Sequence, residues 1–355
     1  MRRPSALSSG CWRRGMADAR ILLHLPARHL EDWRRTRHLR VHARIAEVLE
    51  PLGARIVAVD RKLRQFEGGP NAAADYADGD LHVIETGRVR GPGVLNAALA
   101  YLPPYWHLDP AGVQAESSIG ALPYDPATVR LQPAMAFIDR MRSRWVVPRR
   151  SRRAQDDAPS DLPKGALAVF MQGDFAHLRG LAHCSPEAML RAVVAGAGGR
   201  CVLVKPHPRA AEHDAAVIAR VAASGLPVVP TTANVHDILH ACAATVSFNS
   251  AVALEGFLHR KPAILFGRSD FHHLCETVTN PADFPDALAR SLSRPTGGYA
   301  KFLHWYFSRQ CLNVDGAAFP ARLMDILLRA GFSADRLGLR GVPCGGREPE
   351  GGAAG

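Results

Sequence analysis

The sequence predicts an α/β protein with two domains, the second of which is built on a parallel, doubly wound sheet. From Ala166 onward, short apolar segments alternate with helix-compatible segments, which is typical of strands joined by crossover helices. A charged stretch rich in Pro and Ser, 148–164, precedes this regular part and is typical of a linker. With 355 residues, the chain is long enough for two domains that each bury a core.

Domain boundaries follow from these patterns. The basic N-terminus has no apolar run of the kind found in secretory signals, and Met16 is an alternative start. The predicted divisions are a disordered N-terminus (1–19), a first α/β domain (20–150), a linker (151–164), a second α/β domain (165–335) and a disordered Gly-rich tail (336–355).

The first domain shows a weaker alternation of strands and helices than the second. Its predicted elements are strands at 20–25, 54–59 and 81–85 and helices at 33–49 and 128–144. Between them, the segment 91–125 is irregular and rich in Pro, Gly and aromatic residues. A segment of this length is uncommon unless it is functional or disordered, and its aromatics argue against disorder. We expect it either to line a cleft or to cover the core.

The second domain repeats strand and helix regularly. The predicted strands are 166–171, 201–204, 227–229, 244–248 and 262–266, and the helices are 186–195, 211–223, 235–242 and 251–258, followed by C-terminal helices at 281–293, 299–312 and 317–330. Ligands of such sheets bind at the carboxyl ends of the strands. The chemically unusual residues stand at those predicted ends, namely Asp174, His207, Asn249, Ser250 and Gly267.

The segment from Ala244 to Arg268 predicts a strand, a polar turn, a helix and a second strand. Asn249 and Ser250 are N-cap residue types directly before the helix, whose N-terminus would face an anion at the end of the strand. Glu255 is the one acidic residue of that helix. Its carboxylate either accepts hydrogen bonds from ribose hydroxyls or lies on an exposed strip in contact with water.

A second motif, Lys205-Pro-His-Pro208, closes another strand. Its prolines stiffen the loop and fix the direction of His207. A fixed His can bond a phosphate or a base edge, and Lys205 adds positive charge nearby. Alone, the motif would indicate a structural loop; beside Asn249 and Ser250, it predicts a phosphate site.

Composition favours a protein with reduced thiols that binds anions. The net charge of +11 favours anionic partners. The seven cysteines are scattered without a C-x-x-C pair, which indicates the cytoplasm. The basic runs have no interleaved aromatics and no zinc-finger or basic-zipper spacing, so nucleic acid is not an expected partner.

Several function classes lack their motifs. The sequence contains no Gly-x-Gly-x-x-Gly, no Walker motif and no Gly-x-Ser-x-Gly, so a standard dinucleotide fold, a P-loop and a serine hydrolase are not supported. The adjacent His272 and His273 would point in different directions on a helix. Neither a metal nor a cofactor is therefore expected.

The order and spacing of the motifs resemble the bacterial capsule polysaccharide synthesis family, whose characterised members are β-Kdo glycosyltransferases. The similar segments are Gln172–Asp174, Lys205–Pro208, Val235–Asp237, Asn249–Glu255, Lys261–Arg268 and Trp305–Asn313. They lie mostly in the second domain, and Ala253 stands where the family usually has Gly. The single module is similar to the shorter members of the family, which act on a phospholipid acceptor.

This resemblance implies a GT-B-like fold with two Rossmann-like α/β domains facing a cleft and C-terminal helices. It implies that the first domain (20–150) lies on the acceptor side and that the second (165–335) binds the nucleotide sugar. It implies a metal-independent glycosyltransferase of capsular polysaccharide biosynthesis and export that transfers β-Kdo from CMP-Kdo, or another cytidine nucleotide-linked donor, to a lipid or lipid-linked acceptor. The implied nucleotide- and phosphate-binding residues are Lys205, His207, Pro208, Asn249, Ser250 and Glu255, supported by Gln172, Gly267 and Arg268.

Asp174 is the implied catalytic residue. A carboxylate there could stabilise an oxocarbenium-like centre or attack it, forming a covalent glycosyl-Asp in a retaining reaction. The alternative is an Asp that caps the turn 175–179. The sequence leaves retention or inversion open, together with the acceptor and the oligomeric state.

Two other functions fit the same pattern. One is a CDP-glycerol-type glycerophosphotransferase on a GT-B frame, and the other is a non-catalytic capsule export or assembly protein that has kept the fold. The expected location is the cytoplasm, with peripheral contact to the inner membrane and to other capsule biosynthesis or export proteins. Arg34, Arg35, Arg37 and Arg40 are the residues expected to meet anionic lipid.

Overall fold

Two six-stranded sheets form the framework of the molecule. The structure, a computed structural model, describes residues 19–61 and 76–341. Residues 1–18 and 342–355, which belong to the two segments expected to be disordered, lie outside the described residues. Helices pack against both sheets, so the α/β class predicted from the sequence is confirmed.

The elements are numbered in chain order. The strands are β1 (Ile21–Leu25), β2 (Ile56–Asp60), β3 (Leu81–Glu85), β4 (Val94–Leu99), β5 (Tyr105–Asp109), β6 (Leu167–Phe170), β7 (Val202–Lys205), β8 (Val229–Pro230), β9 (Ala244–Ser247), β10 (Ala263–Leu265), β11 (Glu276–Thr277) and β12 (Leu312–Asn313). The helices are α1 (Arg40–Leu49), α2 (Leu131–Met141), α3 (Phe175–Leu178), α4 (Pro186–Ala195), α5 (Ala211–Ala223), α6 (Val235–Ala241), α7 (Val252–Leu258), α8 (Phe284–Ser293), α9 (Tyr299–Leu303) and α10 (Phe319–Arg329).

The first sheet has the strand order β12-β5-β4-β3-β1-β2. Strands β1 to β4 are parallel, whereas β5 runs antiparallel to β4 and β12 runs antiparallel to β5. Strands β4 and β5 lie within the segment 91–125, for which the sequence predicted no strand. Nearly all of their residues are buried on both faces, so they lack the alternation of apolar and polar residues that marks a half-exposed strand.

The second sheet is entirely parallel and has the order β11-β10-β9-β6-β7-β8. The strands β10, β9, β6 and β7 are neighbours in that order. Their carboxyl ends therefore lie side by side at one edge of the sheet. This arrangement brings together the loops after these strands, which begin near Phe266, Phe248, Met171 and Pro206.

The chain returns to the first sheet near its end. Strand β12 pairs with β5, and Phe319, Leu323 and Leu327 of α10 belong to the same buried cluster as the core of β1. Leu337 and Leu339, in the described part of the C-terminal tail, are buried in that cluster too. Helix α10 thus packs on the first sheet although it follows the second sheet in sequence.

A buried carboxylate joins the two halves of the molecule. Asp270, which follows β10, is fully buried and accepts hydrogen bonds from the hydroxyls of Tyr101 (2.7 Å), Ser117 (2.8 Å) and Tyr306 (2.7 Å). Tyr101 and Ser117 belong to the first half, and Tyr306 lies on the C-terminal π-helical turn, His304–Gln310. Aromatic side chains of all three segments pack around this group, among them Phe271 and Phe302.

The basic segment expected to meet anionic lipid lies at the surface before and at the start of α1. Arg34 donates to Glu50 at 2.6 Å, and Arg40 pairs with Glu47. Two of the four arginines are therefore already in exposed ion pairs, which are weak. Within the described ranges, no helix combines the length and the apolar character needed to cross a membrane.

Asp270 predicts a pH dependence of stability. Burial raises the pKa of its carboxyl from the ordinary 3.8 to about 7, and the hydrogen bonds from Tyr101, Tyr306 and Ser117 oppose this shift only in part. The folded protein therefore holds a proton that the unfolded chain releases above pH 3.8, so this contribution to stability is lost as the pH rises to about 7. The buried His42, His107 and His259, whose pKa values burial lowers to about 3, contribute a rise in stability over much of that range. We expect Asp270→Asn, which cannot ionise, to make the slope of the free energy of unfolding against pH more positive than in the wild type, while the contribution of the histidines is unchanged.

Urea unfolding at several pH values measures this slope. The negative contribution of Glu255 should remain in the variant, because burial also raises the pKa of its carboxyl to about 7. The matched control is Asp325→Asn, an exposed carboxylate that should leave the pH dependence as it is. A wild-type slope in Asp270→Asn would contradict the prediction.

Candidate functional site

Gln172 and Asn249 lock the ends of three neighbouring strands together. The Gln172 side-chain oxygen accepts from the backbone N–H groups of Phe248 and Asn249, both at 3.1 Å. Its amide donates to the Asn249 side-chain oxygen at 3.0 Å, and the Asn249 amide donates to the carbonyl of Arg268 at 3.0 Å. Both residues therefore hold the loops after β6, β9 and β10 in place, and neither side chain is free of protein contacts.

Asp214 on α5 performs the same task between β6 and β7. Its carboxylate is fully buried and accepts from the backbone N–H of Gly173 at 3.0 Å and from that of His207 at 2.8 Å. A buried carboxylate needs such donors, because burial without them is costly. Asp214 therefore sets the distance between the loop that carries Asp174 and the loop that carries His207.

The Asp174 side chain does not cap the helix that follows it. The residue occupies the N-cap position of α3, but its carboxylate makes no capping hydrogen bond, which contradicts the capping alternative. Instead, Oδ2 lies 2.9 Å from Nε2 of His213, and the other ring nitrogen of His213 lies 3.4 Å from Oδ1 of Asp214. The Asp174 side chain is 42% exposed and that of His213 is 38% exposed, so both are open to a ligand.

His207 presents one donor to the same edge. The backbone N–H of Arg209 donates to Nδ1 of His207 at 3.2 Å, so the neutral ring carries its proton on Nε2. Burial lowers the pKa of His207, and the charges of Arg209, Arg153 and Arg152 lower it further. The ring is therefore placed to donate from Nε2 to an acceptor such as phosphate, and Pro208 beside it is exposed.

Lys205 points away from the centre of this group. Its ammonium donates to the carbonyls of Thr232 at 2.9 Å and Ala233 at 2.7 Å, which leaves one N–H. Burial lowers its pKa. Its clearest task is to fix the loop before α6, and any contact with a ligand would use the remaining donor.

Ser250 lies half-buried at the start of α7. Its hydroxyl oxygen accepts from the backbone N–H of Val252 at 3.3 Å, and its own N–H donates to the Ser247 hydroxyl at 3.2 Å. The Ser250 hydroxyl proton remains available to a ligand. Neither Asn249 nor Ser250 is the N-cap residue of α7, contrary to the expectation from the sequence. Ala251 holds that position, and the helix has seven residues.

Glu255 is buried rather than exposed, which corrects the interpretation as a solvated carboxylate. Its side chain is about as inaccessible as a core residue, with 1% of the residue exposed. Oε1 accepts from the hydroxyl of Ser151 at 2.9 Å, whereas Oε2 has no hydrogen-bond partner among the described residues. Burial raises the pKa of this carboxyl to about 7, and the bond from Ser151 opposes the shift.

Ser151 belongs to the predicted linker, which lies across α6 and α7. The carbonyl of Arg150 accepts from Nε2 of His236 at 2.6 Å, and the Gln155 side chain accepts from the backbone N–H of Val235 at 3.0 Å. Arg149 pairs with Asp237 at 2.6 Å. These contacts hold the chain against α6 on both sides of Ser151, so this part of the linker covers Glu255.

Three arginines add positive charge beside His207. Arg152, Arg153 and Arg209 are exposed, and all three act on the pKa of His207. Within the part of the chain that the structure describes, none of the three has a carboxylate partner. Unpaired guanidinium groups at the end of a strand favour an anionic ligand.

Gly267 allows the loops to approach closely. A Cβ on Gly267 would lie 2.7 Å from the carbonyl oxygen of Leu181, so any side chain would force the two loops apart. The next residue, Arg268, is exposed, and its N–H donates to the same Leu181 carbonyl at 2.8 Å. Gly267 therefore acts through packing.

The site faces the first half of the molecule across an ion pair. Arg179, which follows α3, donates to Glu116 at 2.9 Å, and Arg88, which follows β3, lies 3.5 Å from the same carboxylate. The segment that carries Asp174 is thereby held against the first sheet. Among the described residues, no group of three or more His, Cys, Asp or Glu side chains is placed to hold a metal ion.

Sequence reasoning missed His213 and Asp214. Both lie in the first turns of α5, directly after the Lys205–Pro208 loop. A His-Asp pair at the start of a helix that follows a strand-end loop was the available signal. This signal is weak, because acidic residues are common in first helical turns, where they interact favourably with the helix dipole.

A matched pair of glycines tests the loop that carries Asp174. Gly173 and Gly180 have φ values of +60° and +62°, but a Cβ would meet Ala210 at 2.7 Å only at Gly173 and open space at Gly180. Alanine at either position should cost about 1–2 kcal/mol for the left-handed backbone. Gly173→Ala should cost a further 1–3 kcal/mol or so, because it crowds Ala210. Denaturant unfolding measures both; equal losses would contradict the crowding.

No protein-family model matches the chain, and no curated protein sequence matches it. Solved structures do resemble it. The β-Kdo 2,7 transferase KpsC of Thermosulfurimonas dismutans is 12% identical, with a TM-score of 0.50 over 87% of this chain and 100% of that chain. The β-Kdo 2,4 transferase KpsC of the same organism is 14% identical, with a TM-score of 0.45 over 81% of this chain and 90% of that chain.

At such low identity, the first similarity establishes the fold and nothing finer. It spans the whole of the neighbouring chain and therefore includes both sheets. The resemblance to β-Kdo glycosyltransferases that the motifs indicated is confirmed at the level of the fold: this chain has the GT-B-like architecture of a β-Kdo transferase.

Proposed function

We propose that this protein is a glycosyltransferase of capsular polysaccharide biosynthesis that transfers β-Kdo from CMP-Kdo to a lipid or lipid-linked acceptor. The observation that supports it most is Asp174, a half-exposed carboxylate at a strand end, held by His213 instead of capping its own helix. The KpsC fold is consistent with this activity and carries no more than the fold.

The charges around His207 suit a donor with two anionic groups. CMP-Kdo carries a phosphate and a sugar carboxylate. Among the described residues, the Nε2–H of His207 and the hydroxyl proton of Ser250 have no acceptor and can donate to the phosphate. Arg152, Arg153 and Arg209, which have no carboxylate partner in the same ranges, supply positive charge. These side chains can balance the donor's charge themselves, so we propose a reaction without metal or cofactor.

The chemistry assigned to Asp174 is nucleophilic. Its carboxylate would attack the anomeric carbon as the CMP phosphate leaves, and the acceptor would then displace the carboxylate from the glycosyl-Asp. The exposure of Asp174 and the neighbouring anion-binding groups support this role. The position of Asp214 supports it too, since it fixes the backbone on both sides of the reacting centre.

Mass spectrometry after incubation with CMP-Kdo and candidate lipid acceptors tests the function. Addition of one sugar to the acceptor is the expected product. Transfer of glycerol phosphate from CDP-glycerol would instead favour a glycerophosphotransferase. No binding of CMP at millimolar concentration in calorimetry would indicate a non-catalytic capsule export or assembly protein.

We propose a cytoplasmic protein that contacts the inner membrane and other capsule biosynthesis or export proteins. The net charge of +11 supports attraction to an anionic surface. Arg35 and Arg37 are the exposed members of the basic segment that lie outside the ion pairs with Glu50 and Glu47.

Asp174→Asn tests the nucleophile. The amide keeps the shape and a hydrogen bond to His213 but cannot attack the sugar, so we expect a folded, CMP-binding protein whose transfer rate falls at least about 100-fold. Asp286→Asn, an exposed carboxylate on α8, is the control and should keep the wild-type rate. A transfer rate in Asp174→Asn within about tenfold of wild type, about 1.4 kcal/mol of barrier, would exclude the assignment.

Ser151→Ala tests whether Glu255 binds ribose. The Ser151 hydroxyl now donates to Glu255 as a ribose hydroxyl would, and the linker covers the carboxylate. A ribose that binds Glu255 must therefore displace Ser151. Removing one hydrogen bond worth about 0.5–1.5 kcal/mol should tighten CMP binding roughly 2- to 10-fold, as measured by calorimetry.

The comparison needs two controls. Ser160→Ala, in the same linker, should leave the affinity unchanged, because the contact of Ser160 with Asp237 is made by its backbone N–H. The gain in Ser151→Ala should also vanish for 2′,3′-dideoxy-CMP, which lacks the hydroxyls. An unchanged or weaker affinity for CMP would separate Glu255 from ribose binding.

A further inference from the structure

The Asp174–His213–Asp214 chain has a geometry that suits proton transfer. His213 is half-exposed and faces one carboxylate on each side, Asp174 at 2.9 Å from Nε2 and Asp214 at 3.4 Å from Nδ1. Asp214 is fully buried and held by two backbone N–H groups, so it cannot reach a substrate. Asp214, on the Nδ1 side of the ring, is thus rigid, while Asp174, on the Nε2 side, is the proposed nucleophile.

A buried carboxylate behind an imidazole orients the ring and stabilises it when it gains a proton. His213 has this support from Asp214. Its Nε2 is also directed at the place where the sugar would be attached to Asp174. No other described residue has its side chain within hydrogen-bond distance of the Asp174 carboxylate.

The two steps of a retaining transfer differ in their need for a base. In the first, the leaving CMP is already an anion and takes no proton, so Asp174 can act without help. In the second, the hydroxyl of the acceptor must lose its proton as it attacks. By then the Asp174 oxygen is bound to the sugar as an ester and is no longer a full anion. Nε2 of His213, which held its proton toward the carboxylate, then loses that proton to solvent. The neutral ring keeps its other proton on Nδ1 toward Asp214, and its free Nε2 lone pair faces the incoming hydroxyl.

We propose that His213 is the general base of the second step, positioned by Asp214; this rests on the function proposed above. The acceptor oxygen forms a bond to the anomeric carbon, and the bond from that carbon to Asp174 breaks with its electron pair returning to the carboxylate. The acceptor's proton passes to Nε2 of His213 and from there to solvent.

The test uses CMP-Kdo with water as the acceptor, so it needs no identified lipid. Wild-type protein should release CMP continuously. His213→Gln keeps a donor toward Asp174 but cannot take up a proton, so it should release one equivalent of CMP in a burst and then slow at least about 100-fold. Mass spectrometry of the stalled variant should find the protein heavier by one sugar residue. Azide, an anionic nucleophile that needs no base, should restore turnover as glycosyl azide.

The control is His240→Gln, an exposed His on α6, which should behave as wild type. If wild-type protein neither binds CMP-Kdo nor releases CMP, the proposed function fails, and this inference with it. If wild type turns over and His213→Gln does so equally fast, the inference alone fails. Loss of the first-turnover burst in His213→Gln would also overturn it, since the imidazole would then act in the first step.

Discussion

The two backbone hydrogen bonds that Asp214 accepts are the constraint on which the site depends. A carboxylate with no exposed surface must be satisfied within the protein, and the N–H groups of Gly173 and His207 satisfy it. Those two residues stand at the ends of different strands. Because the buried Asp214 carboxylate needs both hydrogen bonds, it sets the separation of the loops that carry the proposed nucleophile and the proposed phosphate ligand.

The linker does more than connect the two halves, because it also covers part of the candidate site. Its hydrogen bonds to α6 and its contact with Glu255 place it over the carboxylate that we propose as the ribose ligand. Among the described residues, Oε2 of this buried carboxylate accepts no hydrogen bond, and Nε2 of His236 lies 3.8 Å away, which is too far for one. A buried oxygen in this state is unfavourable. The covered arrangement therefore leaves free energy that a better donor, such as a ribose with two hydroxyls, could recover by displacing Ser151.

The two halves are joined by polar contacts set in an aromatic core. Asp270 receives hydroxyls from the first half and from the C-terminal segment, and Glu116 pairs across the other side with Arg179. Strand β12 and helix α10 follow the second sheet in sequence but pack on the first sheet, so the chain itself also connects the two halves. The relative placement of Asp174 and the first sheet is therefore tied to several segments at once.

The sequence by itself determined five of the six strands of the second sheet, all but β11, and which loops lie at its carboxyl edge. Alternating strands and helices require parallel pairing, and parallel strands end on one edge, so the placement of Gln172, His207 and Asn249 at that edge followed from local patterns. The strand order did not follow: β6 separates the strand before His207 from the strand before Asn249. The hydrogen-bond partners of the site residues did not follow from local patterns. Whether Asp174 capped its helix or met His213, and whether Glu255 faced water or Ser151, depended on residues that lie 39 and 104 positions away. The sequence did not predict strands β4 and β5, because residues buried on both faces show no alternation of apolar and polar types. It did not predict that α10 packs on the first sheet, because packing on a distant sheet leaves no periodic pattern in the local sequence.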